Sequence, residues 1–221
     1  MKVLIACEES QAVCKEFRKL GHEAYSCDIQ ECSGGHPEWH IQGDAFEVIE
    51  SKSWDMVIAF PPCTHLSLSG AKHFAKKRES GVQRSGIEFF AKMLNIDCPM
   101  VAIENPMNIM SGGKYLKEHY PDLCEKYCLP RKYSQTVQPY EYGDPAQKTT
   151  RLWLKGLPGL IPTTHESEQD KGEFVTTPSG KRLPKWYSDN KSGKHRSKTF
   201  SGIARAMASQ WGGKAQALRG D

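Results

Sequence analysis

Met56-Val57-Ile58-Ala59-Phe60-Pro61-Pro62-Cys63 is the stretch whose reading decides the fold. Its five consecutive apolar residues, with no polar alternation, read as a strand buried on both faces, the kind found in parallel sheets. Two prolines end it, because proline has no N–H to give a ladder. Cys63 is left raised just beyond the strand's carboxyl end. In an open α/β sheet these strand ends border the ligand crevice. A cysteine so placed is set to attack something rather than to fill a core.

Working outward, Lys2-Val3-Leu4-Ile5-Ala6-Cys7 reads as a second buried strand. A helix follows over residues 11–20, with Val13, Phe17 and Leu20 on one face and Gly21 as its stop. Glu23 to Asp28, Trp54 to Phe60 and Pro99 to Ile103 read as further strands, and a helix carrying Ile87, Phe90 and Leu94 precedes the last of these. Strands alternating with helices imply an α/β fold, a mostly parallel twisted sheet with helices on both faces. After Leu129, Thr136 to Tyr142 and Arg151 to Lys155 read as an antiparallel pair joined across Gly143-Asp144-Pro145. Little periodicity appears from Pro158 to Ser197, and a last amphipathic helix runs from about Phe200 to Trp211 with Ile203, Met207 and Trp211 on one face. The expected organisation is a catalytic domain over 1–157, a long basic loop or minimal recognition region over 158–197, and a returning helical segment over 198–221.

The 221 residues suffice for one α/β domain. No apolar run approaches the roughly 20 residues that span a bilayer, and Lys2 and Glu8-Glu9 flank too short an apolar segment for a signal peptide. A cytoplasmic protein is expected, with no membrane association and no evident obligate protein partner. Its eight cysteines then read as reduced thiols. The net charge of +4 is mild, but Lys181 to Lys198 holds seven Lys/Arg against one acid, Asp189. Charge interleaved with Trp186 and Tyr187 suits contact with phosphates and bases, although a solvated loop would have the same composition.

Four segments carry chemistry: Pro61-Pro62-Cys63 after one strand, Glu104-Asn105-Pro106 after another, Gln147-Lys148-Thr149-Thr150-Arg151 opening a third, and Asp28 ending an early one. In this order they resemble the DNA cytosine-5 methyltransferase family, with its Pro-Pro-Cys nucleophile loop, Glu-Asn-Val segment, Gln-x-Arg-x-Arg strand start and ribose-gripping acid. Ser67 and Gly70 also look like that family's catalytic loop. The resemblance implies a Rossmann-like fold dependent on S-adenosylmethionine, acting on DNA, either duplex with a flipped cytosine or single-stranded. It makes Cys63, Glu104 and Arg151 catalytic: thiolate addition at carbon 6 activates carbon 5, a carboxyl supports the addition at nitrogen 3, and a guanidinium orients the base or the carboxylate.

For the cofactor, the resemblance places Ala6, Glu8, Glu9 and Ser10 in the first loop, Asp28 and Ile29 at the ribose, Asp44 near the adenine, and Phe60 and Pro61 alongside. Three departures stand out. The first loop, Ala6-Cys7-Glu8-Glu9-Ser10-Gln11, has no glycine; Thr149 stands where the family has its first arginine; and only about 40 residues, 156–196, are available for target recognition. Nucleic-acid contact falls to Ser67, Gln147, Arg182, Lys185, Trp186, Tyr187, Lys194 and Arg196. The alternatives are modification of a free pyrimidine nucleotide or another base, and a catalytically silent nucleic-acid-binding decoy.

A zinc nucleobase deaminase needs a second cysteine three positions after the first, and Leu66 stands there. No metal is expected, although Cys27, Cys32, His36 and His40 have a spacing that could close on Zn²⁺. His65 reads either as a charge lowering the thiol's pKa or as a solvent-facing loop residue.

Overall fold

A computed structural model describes residues 1–189 and 197–213. Seven strands form one sheet in the order β3-β2-β1-β4-β5-β7-β6. β1 (Lys2–Ala6), β2 (Glu23–Asp28), β3 (His40–Gln42), β4 (Met56–Ala59) and β5 (Met100–Pro106) run parallel. β7 (Thr150–Lys155) is antiparallel to both β5 and β6 (Gln135–Val137). This is the mostly parallel sheet expected from the alternating pattern, and it is of the Rossmann-like class that the resemblance implies.

The apolar runs of β1, β4 and β5 divide by parity between two cores, since successive side chains leave a strand on opposite faces. Leu4, Ala6, Val57, Ala59, Val101, Ile103 and Trp153 pack on one face against Ile87 and Phe90 of α4 (Val82–Leu94). Val3, Ile5, Met56, Ile58, Ala102 and Leu152 pack on the other, against Val13 and Phe17 of the first helix, α1 (Ala12–Lys19). Ile203 and Met207 of the closing helix (Ser201–Met207) complete that second core. Because β1 lies between β2 and β4, the chain leaves it towards one neighbour and later returns on the other side. The loops after β1 and β4 therefore part, opening a crevice at the strands' carboxyl ends.

Several expectations change. The strand expected over 136–142 stops at Val137, because Pro139 cannot extend a ladder; Pro139–Tyr142 forms a 3₁₀ turn capped by Gln138 and Glu141. The closing helix passes into a π turn at Ala208–Gly212. The region read as loop holds a small hairpin, β8 (Phe174–Thr176) with β9 (Arg182–Pro184), and a short helix, Lys185–Asp189. β3 and the helix α2 (Ala45–Ser51) escape the periodicity reading, β3 because it is three half-exposed residues long. All eight cysteines are free thiols. No helix among the described residues is long and apolar enough to cross a membrane.

Candidate active site

The Pro61-Pro62-Cys63 turn is fixed from the neighbouring strand. Asn105, 1 % exposed, donates from Nδ2 to the Pro61 carbonyl at 2.7 Å and accepts from Asn108 Nδ2 at 2.8 Å. Asn108 in turn accepts from the Met110 N–H at 3.0 Å. The backbone repeats the stitch: Ser67 bridges Asn108, Leu68 N–H donates to the Met107 carbonyl at 3.0 Å, and Ile109 N–H donates to Leu66 at 3.1 Å. Cys63 opens a tight turn, its carbonyl accepting from the Leu66 and Ser67 N–H groups at 3.0 and 2.9 Å. From the other side, buried Gln83 donates to the His65 carbonyl at 3.1 Å while accepting from the Tyr115 and Tyr120 hydroxyls.

These bonds hold Cys63 and Glu104 at the ends of adjacent parallel strands. Burial pushes the Cys63 thiol up, and the Glu104 charge pushes it further; Lys148 and Lys77 pull it down. Burial likewise raises the Glu104 carboxyl, against the Lys148 charge and the Thr150 hydroxyl. Raising a carboxyl's pKa favours its acid form, the form that can donate a proton. Asn105→Ala should leave the Pro61 carbonyl and the Asn108 amide without partners, at about 1–3 kcal/mol for each. Denaturant unfolding should report that loss, and peptide-resolved alkylation should find Cys63 less protected.

Arg151 is not at this centre. In the β5–β7 register Glu104 faces Leu152 and Arg151 faces Asn105, so Glu104 and Arg151 leave the sheet on opposite faces. The guanidinium donates to Ser111 Oγ at 2.6 Å and lies 4.2 Å from the Tyr133 ring centroid, while its buried Nε has no acceptor among the described residues. The cation on the Glu104 side is Lys148, which sequence reading passed over although it lies within the quoted Gln147–Arg151 segment. His65 does not supply charge to the thiol either, because burial and then Lys77 lower its pKa.

The first loop turns without glycine by placing Cys7 and Gln11 at φ 60° and 56°. Glu8 does not face a ligand. Its buried carboxylate accepts from the Val13 and Cys14 N–H groups at 2.7 and 3.2 Å, satisfying free donors at the start of α1. Glu9 is engaged by the Ser33 hydroxyl, and Ser10 lies against Gly34. Among the described residues, Asp28 and Asp44 each bind backbone N–H groups through Oδ1 alone: Gln30 for Asp28, Phe46 and Glu47 for Asp44. Ile29 beside them is 75 % exposed, Phe60 is half-buried and Pro61 is buried. Two carboxylates, each with an oxygen that accepts no hydrogen bond from the described residues, beside the exposed Ile29 fit a nucleoside, whereas Glu8 does not fit the amine contact expected of it.

Burial pushes the Glu8 carboxyl up to about 8, above the unfolded value near 4.3. The unfolded chain therefore loses this proton first, and the stabilising contribution present below pH 4.3 drains away as pH rises towards 8. Glu8→Gln should abolish that slope. Melts at pH 5 and pH 8 should show wild type losing stability relative to the variant by on the order of a few kcal/mol.

The residues expected at nucleic acid are divided. Trp186 is a strut, donating from Nε1 to the Gln147 carbonyl at 2.9 Å with its ring 5.3 Å from that of Phe200. Arg182 lies over Phe174, Lys185 pairs with Glu173, and both are exposed, as is Tyr187. Ser67 hydrogen-bonds Ser69 at the rim. Lys194 and Arg196 lie outside the described residues. The four side chains with zinc-like spacing part company: Cys27 turns to the Gly43 carbonyl, Cys32 to Gln11, His36 to Glu38, and His40 to Ser26 and the Gln30 carbonyl.

No family model matches the chain, and comparison with curated proteins gives no match. Among solved structures, the chain is similar to an E. coli prophage protein described as a candidate DNA modification methyltransferase, at 12% identity and TM-score 0.43 over 70% of this chain and 46% of that one. It is similar to the Entamoeba histolytica methyltransferase EhMeth at 14% identity and TM-score 0.46, over 80% and 58% of the two chains. A Spodoptera frugiperda DNMT2 mutant matches at 11% identity and TM-score 0.39, over 74% and 53%. The chain thus spans about half the length of these structures.

Proposed function

We propose that the protein is an S-adenosylmethionine-dependent methyltransferase that methylates carbon 5 of cytosine in DNA through a covalent cysteine adduct. The observation that carries this reading is the juxtaposition of Cys63 with Glu104, a half-buried carboxyl whose pKa desolvation raises, on adjacent strands beside Asp28 and Asp44.

The Cys63 thiolate forms a bond to carbon 6 as the carbon 5–carbon 6 π pair moves onto carbon 5. Glu104 donates its proton to nitrogen 3, so the ring does not carry the charge that addition would leave on it. Asn105, by holding the Pro61 carbonyl, keeps the sulfur on its line of approach. Asp28 and Asp44 would hold the cofactor's hydroxyl and amine groups, and Ile29 and Phe60 its adenine. The bound cofactor supplies an electrophilic methyl group to carbon 5. Loss of the carbon 5 proton to water then restores the double bond, expels the Cys63 thiolate, and returns the nitrogen 3 proton to Glu104.

The test is incubation with labelled S-adenosylmethionine and three substrates: duplex DNA, single-stranded DNA and free cytidine nucleotides. Label in 5-methylcytosine from DNA supports the proposal. Label only in the nucleotide moves the substrate to the free pyrimidine, and DNA binding without label from an intact protein supports a silent binding module.

A further inference from the structure

We propose that Lys148, not Arg151, supplies the positive charge that sets the reactivity of Cys63 and restrains Glu104, so that it acts as a positioning residue for the chemistry read above. The inference rests on that reading of the site, but its test does not require methylation.

The placement follows from strand parity. Thr150 opens β7 opposite Pro106 and, like Leu152, leaves the sheet on the Glu104 face. Lys148 is two residues upstream of Thr150, whose hydroxyl also meets the Glu104 carboxyl, and its backbone is held on both sides. Its N–H donates to Gln138 Oε1 at 3.1 Å, and its carbonyl accepts from Thr150 Oγ1 at 3.2 Å. Gln138 also donates to Thr149 Oγ1 at 2.8 Å, carrying the β6–β7 pairing one step beyond Val137 and Thr150. The Lys148 ammonium lies 5.9 Å from the ring centroid of Phe200, the residue that caps the closing helix. Phe200 in turn packs on Trp186, whose indole is tied to the Gln147 carbonyl. The hairpin region therefore braces the lysine at the site's edge.

Charge reaches the thiol from three groups on three elements: Glu104 of β5, Lys148 before β7 and Lys77 of α3 (Phe74–Glu79). Lys77 is occupied by the Thr64 carbonyl at 2.5 Å, and desolvation and Lys77 disfavour a charge on His65. Lys148 is the cation whose charge acts on both Cys63 and Glu104. A positive charge near both stabilises the thiolate before it adds to the ring, and then the carboxylate that remains once Glu104 has given up its proton.

The experiment is peptide-resolved alkylation of Cys63 by iodoacetamide from pH 6 to pH 10 on the full chain, with thermal melts to confirm folding. Lys148→Met should move the rate profile to higher pH and slow alkylation at pH 7.5 roughly fivefold, because a raised thiol pKa cuts the reactive thiolate fraction by the same factor. Lys148→Arg should restore the wild-type profile, which a purely structural role for the stem would not require. Arg151→Met should leave the profile in place. Should Lys148→Met fail to fold, Lys148→Gln gives the same comparison. A Lys148→Met or Lys148→Gln profile superimposed on wild type, or a shift produced by Arg151→Met instead, would overturn the proposal. Because neither DNA nor cofactor is present, absence of cytosine methylation leaves this result untouched, and an unshifted profile leaves the methylation reading standing.

Discussion

Cys63→Ser should abolish turnover, lowering kcat by about 10⁴-fold or more, while titration with S-adenosylhomocysteine finds nearly unchanged affinity. Serine fills almost the same volume, and the Leu66, Ser67 and Asn105 bonds that shape the turn all run through backbone atoms at this end. The fold and the crevice therefore survive the change. What is lost is the ionisable sulfur, because a hydroxyl at this position has no adjacent base to take its proton. Retained activity in the serine variant would remove Cys63 as the nucleophile and leave the sheet's crevice to a different chemistry.

Glu104→Gln should slow the chemical step by about 10²–10⁴-fold, since an amide cannot hand a proton to nitrogen 3. The same substitution should make the protein more stable at high pH. Burial raises the Glu104 carboxyl above its unfolded value, so its contribution is complete below about pH 4.3 and is lost as pH rises through the folded-state value. Glutamine is neutral throughout and avoids that loss. Rate and stability thus move in opposite directions, which separates a functional carboxyl from one retained for the fold. Denaturant curves at pH 6 and pH 9 beside single-turnover rates would show both effects; a variant that lost stability and rate together would argue for a structural role.

How far the sequence was readable depends on what each residue answers to. β1, β4 and β5 carry continuous apolar runs, so burial alone identifies them, and the crevice follows from their parallel arrangement. That Cys63 and Glu104 stand at strand ends was legible, because Glu104 follows its run directly and Cys63 follows its run after two prolines. Arg151 was not, because its distance from the site depends on parity across β5 and β7: Glu104 faces Leu152, one residue away from Arg151, and a one-residue slip would reverse the faces. No periodicity records that register, which is also why Lys148 was passed over beside Thr149. Glu8 misled for a related reason. A glycine-free turn with two acids looks exposed, yet the free N–H groups of α1 draw one of those carboxylates inward. The hairpin at Phe174–Thr176 and Arg182–Pro184 consists of three-residue strands, too short to give an alternation.

The most direct test is trapping on DNA carrying 5-fluorocytosine in the presence of S-adenosylmethionine, followed by peptide mapping of the product. Fluorine cannot leave as a proton does, so a methylated adduct stalls on the enzyme. The expected result is a stable one-to-one protein–DNA complex in which the peptide bearing Cys63 carries the methylated fluoropyrimidine. No complex from folded protein that binds both DNA and S-adenosylhomocysteine, or a complex mapped to another side chain, would contradict covalent attack by Cys63.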